Sequence, residues 1–304
     1  MTDFRSGFIA ILGRPNVGKS TLVNALLGQK VAAVSPKAQT TRRRQLGILT
    51  TETYQMVFVD TPGIHAPRHK LGEFLNQEAR EALDGVDAVL WLVDATTDPS
   101  EDDARIASLL PRRTPLVLGL NKMDLVPAEA LSARRDAYAA TVTREAEAVT
   151  LSATRGDGLA SLLTLLTSFL PVREAEFDAE QVTDLYEKEI AADLIREAAL
   201  LNLREEVPHG VAVRIDEFKE RENGMAYIAA TIFVERESQK GIVIGEGGKM
   251  LKSIGSAART EIESMGGRRV FLELRVKVLK DWRNDEEWLK RFGYKVKKEG
   301  RRKK

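Results

Sequence analysis

Residues 13–20, Gly-Arg-Pro-Asn-Val-Gly-Lys-Ser, constrain this chain more strongly than any other segment. They follow an apolar run at residues 8–12 and open a segment of helical periodicity at residues 21–27. Glycines at this spacing between a strand and a helix let backbone N–H groups wrap a phosphate, and the helix N-terminus adds a favourable dipole. The pattern predicts a nucleoside triphosphate site in which Lys19 reaches the β- and γ-phosphates and the Ser20 hydroxyl holds Mg²⁺.

Near-continuous apolar runs alternate with segments of helical periodicity over the first 170 residues. The runs lie at residues 8–12, 56–59, 88–93 and 116–120, and the helical segments at 21–27, 100–110 and 159–170. Strands that are apolar along their whole length are typical of parallel sheets covered on both faces. The alternation therefore predicts a doubly wound α/β domain, which we place at residues 1–172.

Two polar segments follow predicted strands of this domain. Asp60-Thr61-Pro62-Gly63 follows the run at 56–59, and Asn121-Lys122-Met123-Asp124 follows the run at 116–120. Ligands of open α/β sheets bind at the carboxyl ends of the strands, so Asp60 is expected to hold Mg²⁺ and the Gly63 N–H to meet the γ-phosphate. Thr-Pro-Gly is also good turn chemistry, and the segment read alone is compatible with a plain turn.

Asp124 predicts selectivity for guanine. Guanine offers its N1–H and its exocyclic amine side by side, and one carboxylate accepts both hydrogen bonds. Adenine has no such donor pair, so it would leave the buried carboxylate unpaired, an arrangement that can reject a ligand by about 10⁴–10⁵-fold. Leu151-Ser152-Ala153 is expected to supply a backbone N–H to the base oxygen.

These segments define the predicted site residues. Those expected to bind GTP are Gly13, Arg14, Pro15, Asn16, Val17, Gly18, Lys19, Ser20, Asp60, Thr61, Pro62, Gly63, Ile64, Asn121, Lys122, Met123, Asp124, Ser152 and Ala153. Within these segments the predicted Mg²⁺ ligands are Ser20 and Asp60, and Lys19 and Gly63 are expected to act in hydrolysis.

The composition changes at the charged stretch that begins at Pro171, and residues 173–182 are predicted to be a linker. Residues 183–304 then predict a smaller α+β domain. Its expected elements are a helix at about 184–203, strands at 209–218 and 225–235, a helix at about 249–265, a strand at 269–279 and a short helix bearing Trp282 and Trp288. The two tryptophans are interpreted as core residues rather than as base-stacking platforms.

Gly245-Glu246-Gly247-Gly248 is a G-x-x-G loop, predicted to lie between the end of an apolar strand and the start of a basic helix. In KH domains such a loop clamps a nucleic-acid backbone, because glycine permits close approach. The predicted RNA-binding residues are Gly245, Glu246, Gly247, Gly248, Lys249 and Lys252. Glu246 opposes phosphate binding by its charge, and an ordinary α+β domain with a glycine turn is the alternative.

The ordered motifs resemble the TRAFAC class of P-loop GTPases, and within it the Era family. The resemblance covers nearly the whole chain, including Lys-Ala-Gln-Thr-Thr-Arg at 37–42 and Val-Glu-Arg-Glu-Ser-Gln-Lys at 234–240. It implies a P-loop GTPase domain followed by a type II KH domain, with Mg²⁺-dependent hydrolysis of GTP to GDP and phosphate. It further implies binding to the 3′ region of small-subunit ribosomal RNA and a role in assembly of that subunit.

The resemblance also bears on switch I and on the attacking water. Switch I lies around residues 39–43, where Thr41, with Thr40 as runner-up, is expected to close on Mg²⁺. Many GTPases orient the water with a glutamine at the position that Ile64 occupies here. Similar GTPases with an aliphatic residue there use an asparagine placed like Asn16 to bind K⁺, with switch I carbonyls, here from near Ser35 and Lys37, completing the site. The resemblance thus adds Thr41 to the expected Mg²⁺ ligands, and Thr41 and Asn16 to the residues expected to act in hydrolysis. Arg14 lies nearby, as does His65, which we interpret as a solvent-facing loop residue.

Charge and composition limit the partners and the compartment. The chain has 304 residues, no cysteine and a net charge of +1, but residues 290–304 carry nine Lys or Arg against one Glu. Such a tail suggests a polyanionic partner or a solvated terminus. We expect a cytoplasmic monomer that is partly peripheral on the inner face of the cell membrane. The alternatives are a membrane-surface regulator and a binding module with vestigial hydrolysis.

Overall fold

The computed structural model describes residues 3–37, 39–221 and 224–294, which form two compact units. Residues up to 66 together with 76–193 form the first unit, and residues 67–75 together with those from 194 onward form the second. The predicted basic tail lies largely outside the described residues, which end at Tyr294.

A six-stranded sheet organises the first unit, in the order β2-β3-β1-β4-β5-β6. Its strands are β1 (Arg5–Leu12), β2 (Gln45–Thr50), β3 (Tyr54–Asp60), β4 (Ala88–Asp94), β5 (Leu116–Asn121) and β6 (Glu147–Thr150). Only the pairing of β2 with β3 is antiparallel among these strands. This is the predicted doubly wound α/β sheet.

Helices cover both faces of this sheet. They are α1 (Lys19–Leu27), α3 (Glu101–Leu109), α4 (Ala128–Ala139) and α5 (Leu159–Phe169), together with residues 76–81 of α2 (Lys70–Glu81), whose earlier residues belong to the second unit. Alternate residues of β4 enter different cores: Leu90 packs in one apolar cluster, and Val89 and Trp91 pack in another. Burial on both faces explains why the strand sequences are apolar throughout. The arrangement brings the carboxyl ends of β1, β3, β4 and β5 to one edge, where the predicted motifs lie.

The second unit contains a three-stranded sheet in the order β7-β8-β9. Its elements follow α6 (Glu187–Asn202) and comprise β7 (Ala212–Glu220), β8 (Ala226–Val234), α7 (Glu237–Ile244), α8 (Lys249–Gly266), β9 (Val270–Val278) and α9 (Glu286–Arg291). Strands β7 and β8 are antiparallel, and β8 and β9 are parallel. Trp282 is fully buried and donates its indole N–H to the carbonyl of Gly210 at 2.9 Å, so it is a core residue as predicted.

One sequence-based expectation about the second unit is wrong. The segment before the G-x-x-G loop is the helix α7 and not a strand, so the loop joins two helices. The Gln239 side-chain oxygen accepts from the backbone N–H groups of Glu235 and Arg236 and so caps this helix.

The predicted linker at 173–182 is not a free tether. Arg173 forms an ion pair with Asp87 at 2.8 Å, and the Gln55 amide bonds the backbone of Glu176 and Phe177. Further along, the carbonyl of Val182 accepts from Ile48 of β2 at 2.9 Å. The segment therefore packs along the first unit, which extends to residue 193.

Candidate nucleotide-binding site

The loop at residues 13–20 leads from β1 into α1, which begins at Lys19. The Lys19 ammonium donates to the carbonyls of Gly13 at 3.1 Å and Arg14 at 2.9 Å. Its side chain is buried, and this burial lowers the pKa of Lys19 to about 8, although the nearby Asp60 carboxylate opposes the shift. A phosphate placed against the helix N-terminus would favour the charged form, so the loop combines the features of an anion site.

Asp60, at the end of β3, is completely buried. Burial raises the pKa of this carboxyl, and the positive charge of Lys19 and hydrogen bonds from Ser20 and Gln45 oppose the rise. Oδ2 accepts from the Ser20 hydroxyl at 2.7 Å, and in the described part of the chain Oδ1 has no hydrogen-bond partner. A buried carboxylate oxygen without a partner is a candidate cation ligand.

The three predicted Mg²⁺ ligands lie together. The Ser20 hydroxyl is 2.8 Å from the Thr41 hydroxyl and contacts Asp60 on its other side. The Thr40 hydroxyl instead donates to the carbonyl of Lys37 at 2.7 Å, which favours Thr41 over the runner-up. Hydroxyl and carboxylate oxygens are the hard ligands that Mg²⁺ prefers, so this set fits the ion.

A cleft beside the loop is lined by Lys19, Ser20, Gln39, Thr41 and Gly63, among others. Gly63 closes one side, because a Cβ there would lie 2.6 Å from the backbone nitrogen of Pro15. This close approach explains why glycine follows the Asp-Thr-Pro segment. Asn16 on the same loop donates its side-chain amide to the carbonyl of Pro36 at 2.7 Å, so the predicted K⁺-site residue meets a switch I carbonyl.

The base end of the site lies between the loop and the residues that follow β5. The Asn121 side chain donates to the carbonyl of Val17 at 2.8 Å and accepts from the N–H of Ala153 at 2.9 Å. It therefore links two loops. The Asp124 Oδ1 atom is buried without a partner in the described residues, and its Oδ2 faces Arg155 at 3.7 Å. This carboxylate is placed to accept two donors from a base.

The backbone N–H groups expected at the base have partners within the protein. The N–H of Ser152 donates to the carbonyl of Asp157 at 3.0 Å, and the N–H of Ala153 donates to the Asn121 side chain, so their contact with a base stays a prediction. Thr154 also lines the cleft, together with Leu125, whose side chain is 66% exposed. Sequence reasoning missed both, although each follows a predicted motif directly.

Three residues considered for the attacking water have different surroundings. Ile64 is buried in the apolar cluster that contains Leu12 and Trp91. Arg14 donates to the buried Asp103 at 2.9 Å and to Thr97 at 3.0 Å. His65 is not a solvent-facing loop residue, because its ring contacts the carbonyl of Gly63 at 3.1 Å and the side chain of Gln39 at 3.2 Å.

The G-x-x-G loop of the second unit is more open. Glu246, Gly247, Lys249 and Lys252 are all exposed. A cleft of about 400 Å³ adjoins the loop between α8 and β9, and its lining includes Lys252, Arg259 and the apolar side chains of Leu251, Leu272 and Leu274. Sequence reasoning missed Arg259, which lies two helical turns beyond Lys252 on the same helix. Phosphate-binding cations beside an apolar surface are suited to a nucleic-acid strand.

No helix within the described ranges has the length and apolar character required to span a membrane.

Both halves of the molecule resemble known protein families. Residues 8–122 match a family model described as 50S ribosome-binding GTPase, and residues 206–283 match a KH-domain model. GTPase Era of Ruminiclostridium cellulolyticum is 47% identical over 297 residues, covering 97% of this chain and 99% of the relative. GTPase Era of Geobacter metallireducens is 48% identical over 293 residues, covering 96% of this chain and 98% of the relative.

Solved structures give the same result. A crystal structure of Era in complex with MgGDPNP and nucleotides 1506–1542 of 16S ribosomal RNA is 39% identical, with a TM-score of 0.91 over 96% of this chain and all of that one. An Era variant of Aquifex aeolicus bound to GDP and AlF₄⁻ matches with the same identity, coverage and TM-score. With these full-length similarities, the chain belongs to the Era family of GTPases and carries a C-terminal KH domain.

Proposed function

We propose that this GTPase binds the 3′ region of small-subunit ribosomal RNA through its KH unit and assists assembly of the small ribosomal subunit. One observation carries the proposal: a relative that matches 96% of this chain was crystallised with nucleotides 1506–1542 of 16S ribosomal RNA. The exposed G-x-x-G loop and the cleft beside Lys252 and Arg259 offer the corresponding surface in this protein.

In the nucleotide site, Ser20, Thr41 and Asp60 would hold Mg²⁺, which draws charge from the phosphate oxygens when it is bound. The chain's own groups do the remaining work. Lys19 binds the phosphates at the start of α1, Gly63 presents its backbone to the γ-phosphate, and the Asp124 carboxylate selects guanine. A mutational test is direct: Lys19→Ala should abolish affinity for a non-hydrolysable GTP analogue, and retained affinity would contradict this placement of the phosphates.

A monovalent cation site at Asn16 is part of the proposal. The contact between the Asn16 amide nitrogen and the Pro36 carbonyl supports it, because it places the Asn16 carboxamide beside a switch I carbonyl. K⁺ there would supply positive charge at the phosphates, as an arginine does in other GTPases. Hydrolysis at saturating GTP should be faster in KCl than in NaCl. Equal rates would remove Asn16 from this role.

The RNA target can be tested by crosslinking the protein to RNA in cells and sequencing the recovered fragments. Fragments from the 3′ end of the small-subunit RNA are expected, together with co-sedimentation of the protein with small-subunit precursors. Recovery of large-subunit RNA, which the description of the matched GTPase model suggests, would overturn the small-subunit assignment.

We further propose a cytoplasmic monomer with peripheral contact at the inner face of the membrane. The net positive charge of residues 290–304 supports the contact, since basic segments are attracted to anionic lipid. Flotation with anionic vesicles should capture the full chain and lose a variant that ends at Tyr294, which keeps α9 and the buried Phe292 and Tyr294. Equal flotation of both proteins would reject the tail as the membrane contact, and sedimentation equilibrium tests the monomer.

A further inference from the structure

Hydrolysis of GTP requires a group that orients the attacking water, and the position that often supplies it does not do so here. Ile64 lies under the sheet edge, only 1% exposed, and has no hydrogen-bonding side chain. Arg14 is bound to Asp103, Thr97 and Tyr138, at distances of 2.9, 3.0 and 3.5 Å. An arginine held in this way is directed toward α3 and not toward the phosphates.

Gln39 of switch I is the glutamine that lines the phosphate cleft, beside Lys19, Thr41 and Gly63. Its backbone adopts a φ of +63°, a conformation that residues with a side chain rarely adopt outside turns and functional segments. The amide nitrogen lies 3.2 Å from the Nε2 atom of His65. Switch I thus brings a carboxamide to the phosphate cleft, whereas the Ile64 side chain is buried in an apolar cluster.

The contacts of His65 determine which of its nitrogens donates. Nδ1 lies 3.1 Å from the carbonyl oxygen of Gly63, which can only accept, so Nδ1 carries the hydrogen. In the neutral ring Nε2 is then an acceptor, and it receives the N–H of the Gln39 amide. The ring therefore fixes the Gln39 carboxamide with its nitrogen toward His65 and its oxygen on the side away from the ring.

The backbone of His65 is itself held in place. Asn76 of α2 accepts from the His65 N–H at 3.3 Å and donates to the His65 carbonyl at 2.8 Å. Asn76 is buried, so this pair of hydrogen bonds anchors the loop to the helix. A continuous set of contacts then runs from α2 through His65 to Gln39 and ends at the phosphate cleft.

We propose that Gln39 is the catalytic residue that orients the attacking water in this GTPase, and that His65 is the residue that positions Gln39. The Gln39 oxygen accepts a hydrogen bond from the water, whose oxygen forms a bond to the γ-phosphorus. The bond between that phosphorus and the β–γ bridging oxygen breaks, and its electron pair remains on GDP. The protons of the water end on inorganic phosphate and solvent, so no oxidant or further reactant is required.

The inference deepens the proposed nucleotide site and rests on its placement of the γ-phosphate. The test is single-turnover hydrolysis with saturating GTP and Mg²⁺, combined with affinities for a non-hydrolysable GTP analogue and for GDP with AlF₄⁻. Gln39→Ala should slow hydrolysis about 100-fold, within the range for loss of a group acting in the transition state. Its affinity for GDP with AlF₄⁻ should fall by a similar factor, while its affinity for the analogue changes less than about twofold.

The role of His65 is tested by combining variants. His65→Ala alone should slow hydrolysis about tenfold, and it should add nothing in the Gln39→Ala background, because residues that act as a unit are not additive. His65→Gln keeps one donor and one acceptor and should retain more activity than His65→Leu, which keeps bulk alone. Equal effects of His65→Ala in both backgrounds would overturn the positioning role.

Matched controls separate the possible failures. Gln77→Ala removes a glutamine of α2 whose side-chain amide donates to Glu81 at 2.9 Å, one turn further along the helix, and it should hydrolyse GTP at the wild-type rate. A Gln39→Ala variant that hydrolyses within about twofold of the wild type would overturn the catalytic role. Retained analogue binding by Lys19→Ala would instead show that the phosphate placement is wrong, which is a different result.

Discussion

The two glycine loops of this molecule precede helices in the same way, yet glycine is required for different reasons. Gly18 has a φ of +102°, and a Cβ there would lie 2.3 Å from the side-chain nitrogen of Asn121. Gly247 has a φ of +58°, and a Cβ there would meet nothing within 4 Å. In the first loop the protein itself fills the space. In the second loop the space is open to a partner, so the backbone conformation alone favours glycine.

The charges differ in the same way. Lys19 and Asp60 are both buried, whereas Lys249, Lys252 and Glu246 are exposed. Removing one member of a buried charged pair leaves the other without compensation, and the effect is large. Exposed charges contribute less per residue, and salt screens their contribution. We therefore expect that substituting a charged residue at the nucleotide loop abolishes nucleotide binding, whereas substituting one at the G-x-x-G loop weakens RNA binding only in part.

The largest expected effect is at Gly18. Gly18→Ala adds a clash with Asn121 and a left-handed residue with a side chain, so it should destabilise the first unit by about 3 kcal/mol or more. Urea unfolding measures the loss of stability, and a titration with a non-hydrolysable GTP analogue measures any accompanying loss of nucleotide affinity. Gly28→Ala is the matched control, since its φ is +66° but its Cβ would meet nothing, and about 1 kcal/mol is expected. Equal destabilisation by the two variants would contradict this explanation.

Asp124→Asn should have the next largest effect. Replacing one of the acceptor oxygens by an N–H donor removes a charge-assisted hydrogen bond to guanine and weakens GTP binding by about 3 kcal/mol. The same amide can donate to the 2-oxo group of xanthine, so preference should shift toward xanthosine nucleotides. Competition titrations with both nucleotides measure the shift. Wild-type GTP affinity in the variant would rule out Asp124 as the base-recognition residue.

Replacing Glu246 and Gly247 together with aspartate should weaken RNA binding by about tenfold or more. Glu246→Asp keeps its charge, so the one new carboxylate is at residue 247, where repulsion by phosphate in water contributes about 1 kcal/mol, or about fivefold. The added side chain also hinders close approach of the RNA backbone. Affinity for GTP should stay unchanged, because the loop belongs to the second unit. Filter binding at a fixed salt concentration provides the measurement. Retained RNA affinity would point to residues 290–304 as the main contact.

The smallest expected effect is on RNA affinity, from removing one exposed lysine side chain. Lys252→Ala should weaken RNA binding about fivefold and lower the slope of log affinity against log salt by about one, as expected for one phosphate contact. Measurement over a series of KCl concentrations separates this result from a loss of base recognition, which leaves the slope unchanged. An unaltered slope would remove Lys252 from the phosphate contacts.

The sequence predicted the nucleotide half well because its motifs are tied to strand ends. Once the apolar runs are placed in a parallel sheet, Asp60 and Asp124 must lie at the same edge as Gly18. Their oxygens with no hydrogen-bond partner in the described part of the chain agree with the predicted roles, although the individual site assignments stay predictions.

The sequence predicted the hydrogen-bond partners of individual residues less well. The N–H of Ala153 was expected at the base, but Asn121 accepts it, and only the tertiary arrangement brings these residues together. The helix α7 was missed because the β-branched Val243 and Ile244 resemble a strand end, whereas the cap at Gln239 starts a helix. The contact between His65 and Gln39 joins residues 26 positions apart, which no local pattern indicates.

The packing of the segment after Pro171 has a consequence for how the GTPase half behaves in isolation. β2 is an edge strand, and its residues Leu46 and Ile48 donate their N–H groups to Asp184 and Val182. The segment thus shields an edge that would otherwise be open to pairing with another chain. A protein shortened to end at residue 172 should aggregate, while one that ends at residue 193 should remain dispersed. The segment after Pro171 therefore both connects the two units and protects the edge of β2 from pairing with another copy of the chain.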